Sequence, residues 1–287
     1  MSRSVPSEIP SNTANIDHDT VEGFGEEWAA FDQEALSGAE QQRLFGQYFS
    51  IFPFEALPQS AEGFDLGCGS GRWAELMADR VARLHCIDPS QKALGVCRRK
   101  LASLGNVSFH LAAADSIPLP DSSQDFGYSL GVLHHVPNTA AALCDATRKL
   151  KRGAPFLLYL YYDLDDRPRW FQLLWRATDY LRRFISRLPF ALRRAVTDTI
   201  AVTVYWPLAR LAALAEKAGA DVSWLPLSGY RYRSFYSMRT DALDRFGTRI
   251  EQRFSKEQIA TMMEGAGLAN VRFREDEPYW VACGLKS

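Results

Sequence analysis

From residue 62 to 162 the chain alternates short apolar runs with stretches of helical periodicity, the pattern of a parallel sheet with helices between its strands. "GFDLG", "LHCIDP", "VSFHLA", "DFGYSLG" and "PFLLYLYY" read as five successive strands. "GRWAELMADRVA", "SQKALGVCRRKLASLG" and "TAAALCDATRKLKRG" read as helices, with Gly105 and Gly153 where two of them should stop. Further on, "SKEQIATMMEGAG" is a helix opened by a serine cap, and "NVRFRE" with "YWVACGLK" suits a closing hairpin. An α/β unit is therefore predicted over 62–162 and 253–287. Residues 163–252 exceed what such a unit needs, since connections are usually far shorter. They are expected to be a helical insertion with its own purpose. Residues 21–61 read as a helical cap before the sheet, and 1–20 as a disordered lead-in.

Composition narrows the class only a little. Hydrophobic residues at 47% and charged residues at 23% are ordinary globular values. A net charge of −1 gives no general pull toward nucleic acid. The five cysteines lack the spacing of a zinc site or a disulfide framework, so no metal is expected and a reducing cytoplasm is the natural setting. No stretch approaches the roughly 20 apolar residues of a bilayer span. The longest candidate, "IAVTVYW" at 200–206, ends at Pro207.

The chemistry gathers around "FDLGCGSGRW" at 64–73. Gly67, Gly69 and Gly71 follow a buried strand, and glycine admits positive φ and close approach to the main chain. The dinucleotide fingerprint would need glycine where Arg72 stands, and a phosphate loop would need a lysine that is absent. What remains, apolar–Asp–x–Gly–x–Gly–x–Gly, resembles the first motif of class I S-adenosylmethionine-dependent methyltransferases. "AAADSIPLPDSSQDFGYSLGVLHHVPN" is similar to the later motifs of the coenzyme-Q and menaquinone-biosynthesis branch, with Ala113 where an acid or amide is common. The resemblance covers about half of the chain. It implies a doubly wound, mostly parallel seven-stranded sheet, Rossmann-like, with the insertion after strand five.

The resemblance also assigns roles. Gly67, Gly69 and Gly71 would pass under the methionyl part of S-adenosylmethionine, with Asp65 near its amino group. Asp88, before Pro89, closes the second strand where an acid grips a ribose diol, although Asp-Pro alone is more often a turn. Ala114 and Asp115 would meet the adenine, and Leu130 with Gly131 would line the cofactor at the end of the fourth strand.

His134 and His135 follow that strand at the ligand edge, as a general base for an alcohol or phenol or as a cap and a core residue. Tyr161 and Tyr162 leave the fifth strand at the same edge, as pocket or as core. "EGFGEEWAAFDQ" carries Phe24, Trp28 and Phe31 at helical intervals, a packing stripe or an aromatic flap over the sulfonium. Tyr230 and Arg239 belong to a Tyr/Arg-rich stretch suited to a carboxylate, phosphate or sugar, or to a solvated loop. In 167–194, Trp170, Leu174, Leu181, Ile185 and Leu188 share one helical face flanked by Arg176, Arg182, Arg183 and Arg187. That segment reads either as a lid over the acceptor or as a peripheral membrane contact.

The expected activity is O-methylation of a small-molecule, sugar or lipid-linked acceptor, with histidine removing the acceptor proton. Methylation of nitrogen or carbon, an NAD-dependent oxidoreductase and a non-catalytic cofactor-binding protein are the alternatives.

Overall fold

The predicted strands all form in the computed structural model, which describes residues 15–32, 37–164, 168–222 and 224–287. They are β1 (Glu62–Leu66), β2 (Arg83–Asp88), β3 (Val107–Leu111), β4 (Phe126–Leu130), β5 (Pro155–Tyr159), β6 (Leu268–Phe273) and β7 (Val281–Lys286). Their order is β3-β2-β1-β4-β5-β7-β6. The first five are parallel, and β7 enters antiparallel between β5 and β6. The strand order reverses between β1 and β4, and open α/β sheets bind ligands at the carboxyl edge of such a reversal.

Helices cover both faces, which is why β1, β4 and β5 are buried along almost their whole length. On one face lie α2 (Gly38–Tyr48), α3 (Arg72–Ala78) and α4 (Gln91–Lys100), with Phe45, Trp73, Met77 and Leu94 in the core. On the other, α5 (Thr139–Arg148) and α10 (Lys256–Gly265) bury Leu143, Ile259 and Met263. α10 opens on a full capping box, Ser255 with Gln258. Gly105 stops nothing: α4 ends at Lys100, and the amide of Asn106 donates to Ala78 O and Val81 O, holding the chain extended into β3. Gly153, at φ +81°, makes the turn into β5.

The lead-in is shorter than expected. α1 (His18–Ala30) is capped by Asp17, and Asn15 N donates to Asp115 Oδ2 at 2.7 Å. A cap and a long-range bond fix residues that composition alone marks as free. The rest of the expected lead-in, 1–14, lies outside the described residues, as do Gln33 of the aromatic stripe and Arg167.

Between β5 and α10 stand α6 (Arg169–Ile185), α7 (Phe190–Ile200), a π-helical turn (Ala201–Tyr205), α8 (Trp206–Lys217) and α9 (Phe235–Gly247). Ile185, Tyr205, Ala209, Met238 and Phe246 give them a core of their own. Buried Arg193 ties this unit to α1, donating to Gly247 O at 3.1 Å and Glu26 at 3.0 Å. Arg182 departs from the expected basic flank. It is buried, pairs with Asp179 at 2.8 Å and donates to Thr248 O and Arg249 O, because the i,i+3 acid and two open carbonyls satisfy its guanidinium inside. Ile185 is buried in the insertion's own core, whereas Trp170, Leu174 and Leu181 remain about half exposed. Among the described residues no helix is long and apolar enough to cross a membrane.

Candidate functional site

The glycine loop leaves β1 with Gly67, Gly69 and Gly71 at φ +80°, +54° and +78°. A Cβ at Gly67 would strike Val132 at 2.4 Å, and one at Gly71 would strike Cys97 Sγ at 2.8 Å. Backbone conformation and space both demand glycine here. Gly67 N and Cys68 N donate to Ile87 O of β2, and Gly69 N donates to Asp88 Oδ2 at 2.9 Å. Asp88 Oδ1 accepts from Ser90 N at 2.8 Å, across Pro89. Burial lifts the Asp88 carboxyl to about 6 against the pull of these two amides. Asp65 is buried too, its carboxyl pushed well up by desolvation, and its Oδ2 has no hydrogen-bond partner among the described residues.

These features fit S-adenosylmethionine. The cofactor would bring an ammonium to satisfy a buried carboxylate oxygen and a ribose diol to meet the acid closing β2. Ala114 is buried beneath the same edge. Asp115, expected at the adenine, already accepts from Asn15 N, so the N-terminal segment reaches this end of the crevice.

Beyond β4 the crevice opens into a cavity of about 680 Å³. Trp28, Leu130, Tyr161, Tyr162 and Tyr230 line it. Trp28 rests on the glycine loop, Phe24 lies 4.8 Å from the His135 ring, and Phe31 packs on Tyr236. The aromatic stripe thus packs on the glycine loop, on His135 and on the insertion.

Neither histidine reaches the cavity wall. The tight turn Leu133–His135 tucks both rings inward. His134 is fully buried, stacked on Tyr161 with centroids 3.9 Å apart, and neither ring nitrogen has a partner among the described residues. Burial holds its pKa well below the usual value. His135 Nδ1 donates to Ile250 O at 2.6 Å, which leaves Nε2 facing Asp244 Oδ1 at 3.8 Å. Arg239 is likewise removed from the site: its guanidinium forks onto Asp198 at 2.7–2.8 Å. Arg231 does the same to Glu216, so internal carboxylates take the forked bonds expected for an acceptor.

Instead, the cavity wall carries acids that motif reasoning missed. Tyr161 OH donates to Asp244 Oδ2. Burial raises the Asp244 carboxyl, opposed by His135 and Tyr161. Glu27, beside Trp28, has Oε1 without a partner among the described residues. Burial first, then the charges of Asp244 and Asp241, hold its carboxyl well above the ordinary range. Arg245 and Arg253 sit over Trp175 at 4.8 and 4.7 Å and share Glu251. The one available signal was Asp241 and Asp244, an i,i+3 acid pair on a single face of α9.

A family profile described as "Methyltransferase domain" matches residues 64–158. Demethylmenaquinone methyltransferase of Tropheryma whipplei is 30% identical over 184 residues, covering 58% of this chain and 70% of that one. Ubiquinone biosynthesis O-methyltransferase of Azoarcus sp. is 36% identical over 91 residues, 31% of this chain and 39% of that one. An uncharacterised 37.1 kDa protein from a Streptomyces fradiae transposon is 34% identical over 139 residues, and this chain spans only 36% of it. Among solved structures, a Haemonchus contortus phosphoethanolamine N-methyltransferase shares the fold at TM-score 0.50 and 15% identity, covering 89% of this chain and 43% of that one. The glycine loop, the sheet order with its antiparallel seventh strand, and these relatives together place the chain in the class I S-adenosylmethionine-dependent methyltransferase family.

Proposed function

We propose that the chain methylates a hydroxyl of a hydrophobic small-molecule or lipid-linked acceptor held in the 680 Å³ cavity. The observation that carries this reading is the junction of crevice and cavity: Leu130 and Gly131, at the end of β4, and Trp28, on the glycine loop, all line the cavity. S-adenosylmethionine supplies an electrophilic methyl on a sulfonium. The protein's part is to hold it through the glycine loop, Asp65 and Asp88, to exclude water with α1, and to align the acceptor, which supplies much of the rate.

Asp244 takes the acceptor proton in this reading. It faces the cavity, burial raises its carboxyl, Tyr161 OH fixes its orientation, and His135 Nε2 stands behind it at 3.8 Å. Histidine then assists as a positioning residue, from behind the carboxylate. Trp175, Leu174 and Phe171 give the acceptor an aromatic and apolar bed, favouring a ring or chain over a bare sugar. The relatives whose names refer to menaquinone and ubiquinone agree with a hydroxylated ring on an apolar tail.

Turnover over a panel of phenols and prenylated phenols tests this. Asp244→Asn should lower kcat by about 10²–10⁴ while S-adenosylhomocysteine still binds. Unchanged turnover in that variant would reject Asp244 as the base.

A further inference from the structure

The insertion exposes far more apolar surface than its own core requires. On α6, Leu173, Tyr180 and Phe184 are 63%, 75% and 67% exposed. At about 100° per residue, Tyr180, Leu173, Phe184, Trp170, Leu181 and Leu174 fall, in that order, within one arc of about 120°. Arg169, Arg187, Arg176 and Arg183, all exposed, occupy the next 40° or so. The remaining side of the helix is half-buried, with Ile185 and Arg182 fully buried. This is a three-sector helix with a core side, an apolar side open to solvent, and an arginine band along one edge of the apolar side.

The apolar side also borders the cavity. Leu174 and Leu181 of α6 and Val204 of the π-helical turn line the cavity while 41–48% exposed, so they form its rim. Trp206 and Leu214 of α8 are exposed apolar side chains as well. Among the described residues from 168 to 220 no acid is exposed: Asp179, Asp198 and Glu216 are each held by an arginine.

We infer that α6 and the rim of the cavity dock on an anionic lipid bilayer, so that the cavity opens toward the membrane and receives its acceptor from there. This rests on the methyltransferase reading only for what enters the cavity; the docking itself follows from the surface. Apolar side chains in the arc would sit at the acyl boundary while the arginine stems reach the phosphates. Charge selects this occupant over a second copy of the chain, whose own α6 exposes no acid to meet the arginines. A solvent-facing apolar arc equally argues against nucleic acid.

Co-sedimentation with phosphatidylglycerol-containing vesicles, against pure phosphatidylcholine, tests the inference on the full chain, with S-adenosylhomocysteine binding measured in parallel. Binding should favour the anionic vesicles and weaken in high salt. Arg176→Gln with Arg187→Gln should lower it about fivefold per charge removed. Leu173→Gln with Phe184→Gln should reduce binding at any salt concentration, and neither pair touches the cavity, so S-adenosylhomocysteine affinity should stay unchanged. Failure of the chain to bind anionic vesicles at low salt, while it binds S-adenosylhomocysteine, would overturn the docking. So would vesicle binding indifferent to both pairs, or a stable dimer dispersed by Leu173→Gln and Phe184→Gln. Vesicle binding without any S-adenosylhomocysteine binding would leave the docking standing and sink the cofactor reading.

Discussion

Trp28 of α1 lies on Gly69 of the glycine loop, its Nε1 only 3.0 Å from where a Cβ at Gly69 would stand. The contact joins a helix before the sheet to the turn that leaves its first strand. It makes α1 a cover for the crevice, and α7 and α9 hold that cover through Arg193.

Gly69→Val follows from that contact. The backbone is at φ +54°, which costs a side chain about 1–2 kcal/mol, and the new methyls would push Trp28 off the loop. Calorimetric titration should show S-adenosylhomocysteine affinity reduced more than tenfold in a protein that remains folded. Native affinity would remove the glycine loop from the site.

Asp88 gives two pH dependences of opposite sign. Its carboxyl is raised from 3.8 to about 6, so between those values the folded state holds the proton that the unfolded state has lost. Stability from this group therefore falls as pH rises through that window, by about 3 kcal/mol at most. Ribose hydroxyls need the ionised form as acceptor, so cofactor affinity should rise with pH and level off above 6. Titrations across the window check both, and Asp88→Asn should flatten both curves.

His134 should prove dispensable for chemistry. Both ring nitrogens are buried without partners among the described residues, and unsatisfied groups of this kind cost about 1–3 kcal/mol each. His134→Phe, stacked on Tyr161, should keep kcat within a few-fold and leave the melting temperature unchanged or raised. A hundredfold loss of kcat with S-adenosylhomocysteine binding intact would restore His134 as the base.

Arg182 and Arg176 share a helix but not a fate. Arg182→Met leaves Asp179 and two carbonyls without their donor and should cost about 3–5 kcal/mol in urea unfolding. Arg176→Met, on the exposed band, should stay within about 0.5 kcal/mol. Equal costs would mean that the burial of Arg182 is wrong.

What the sequence determined by itself was everything carried by short-range pattern. Strand runs, helix periods and the closing hairpin depend on neighbours a few residues away, and they formed where read, although α3 and α4 stop several residues early. The three loop glycines are legible for the same reason, because a positive φ after a strand is a local demand. Tertiary structure decided the rest. Cys68, Cys86 and Cys97 have no metal-like spacing, yet the pairing of β1 with β2 and the packing of α4 bring their sulfurs within 4.8 Å of one another. Tyr161 and Asp244 are 83 residues apart and meet only because α9 folds back over the end of β5. The histidine pair pointed to the right edge of the sheet, but one tight turn rotated both rings inward and left the cavity to the acid from the insertion. Side-chain direction at a loop is set by what packs against it, and that packing comes from parts of the chain that no local pattern connects.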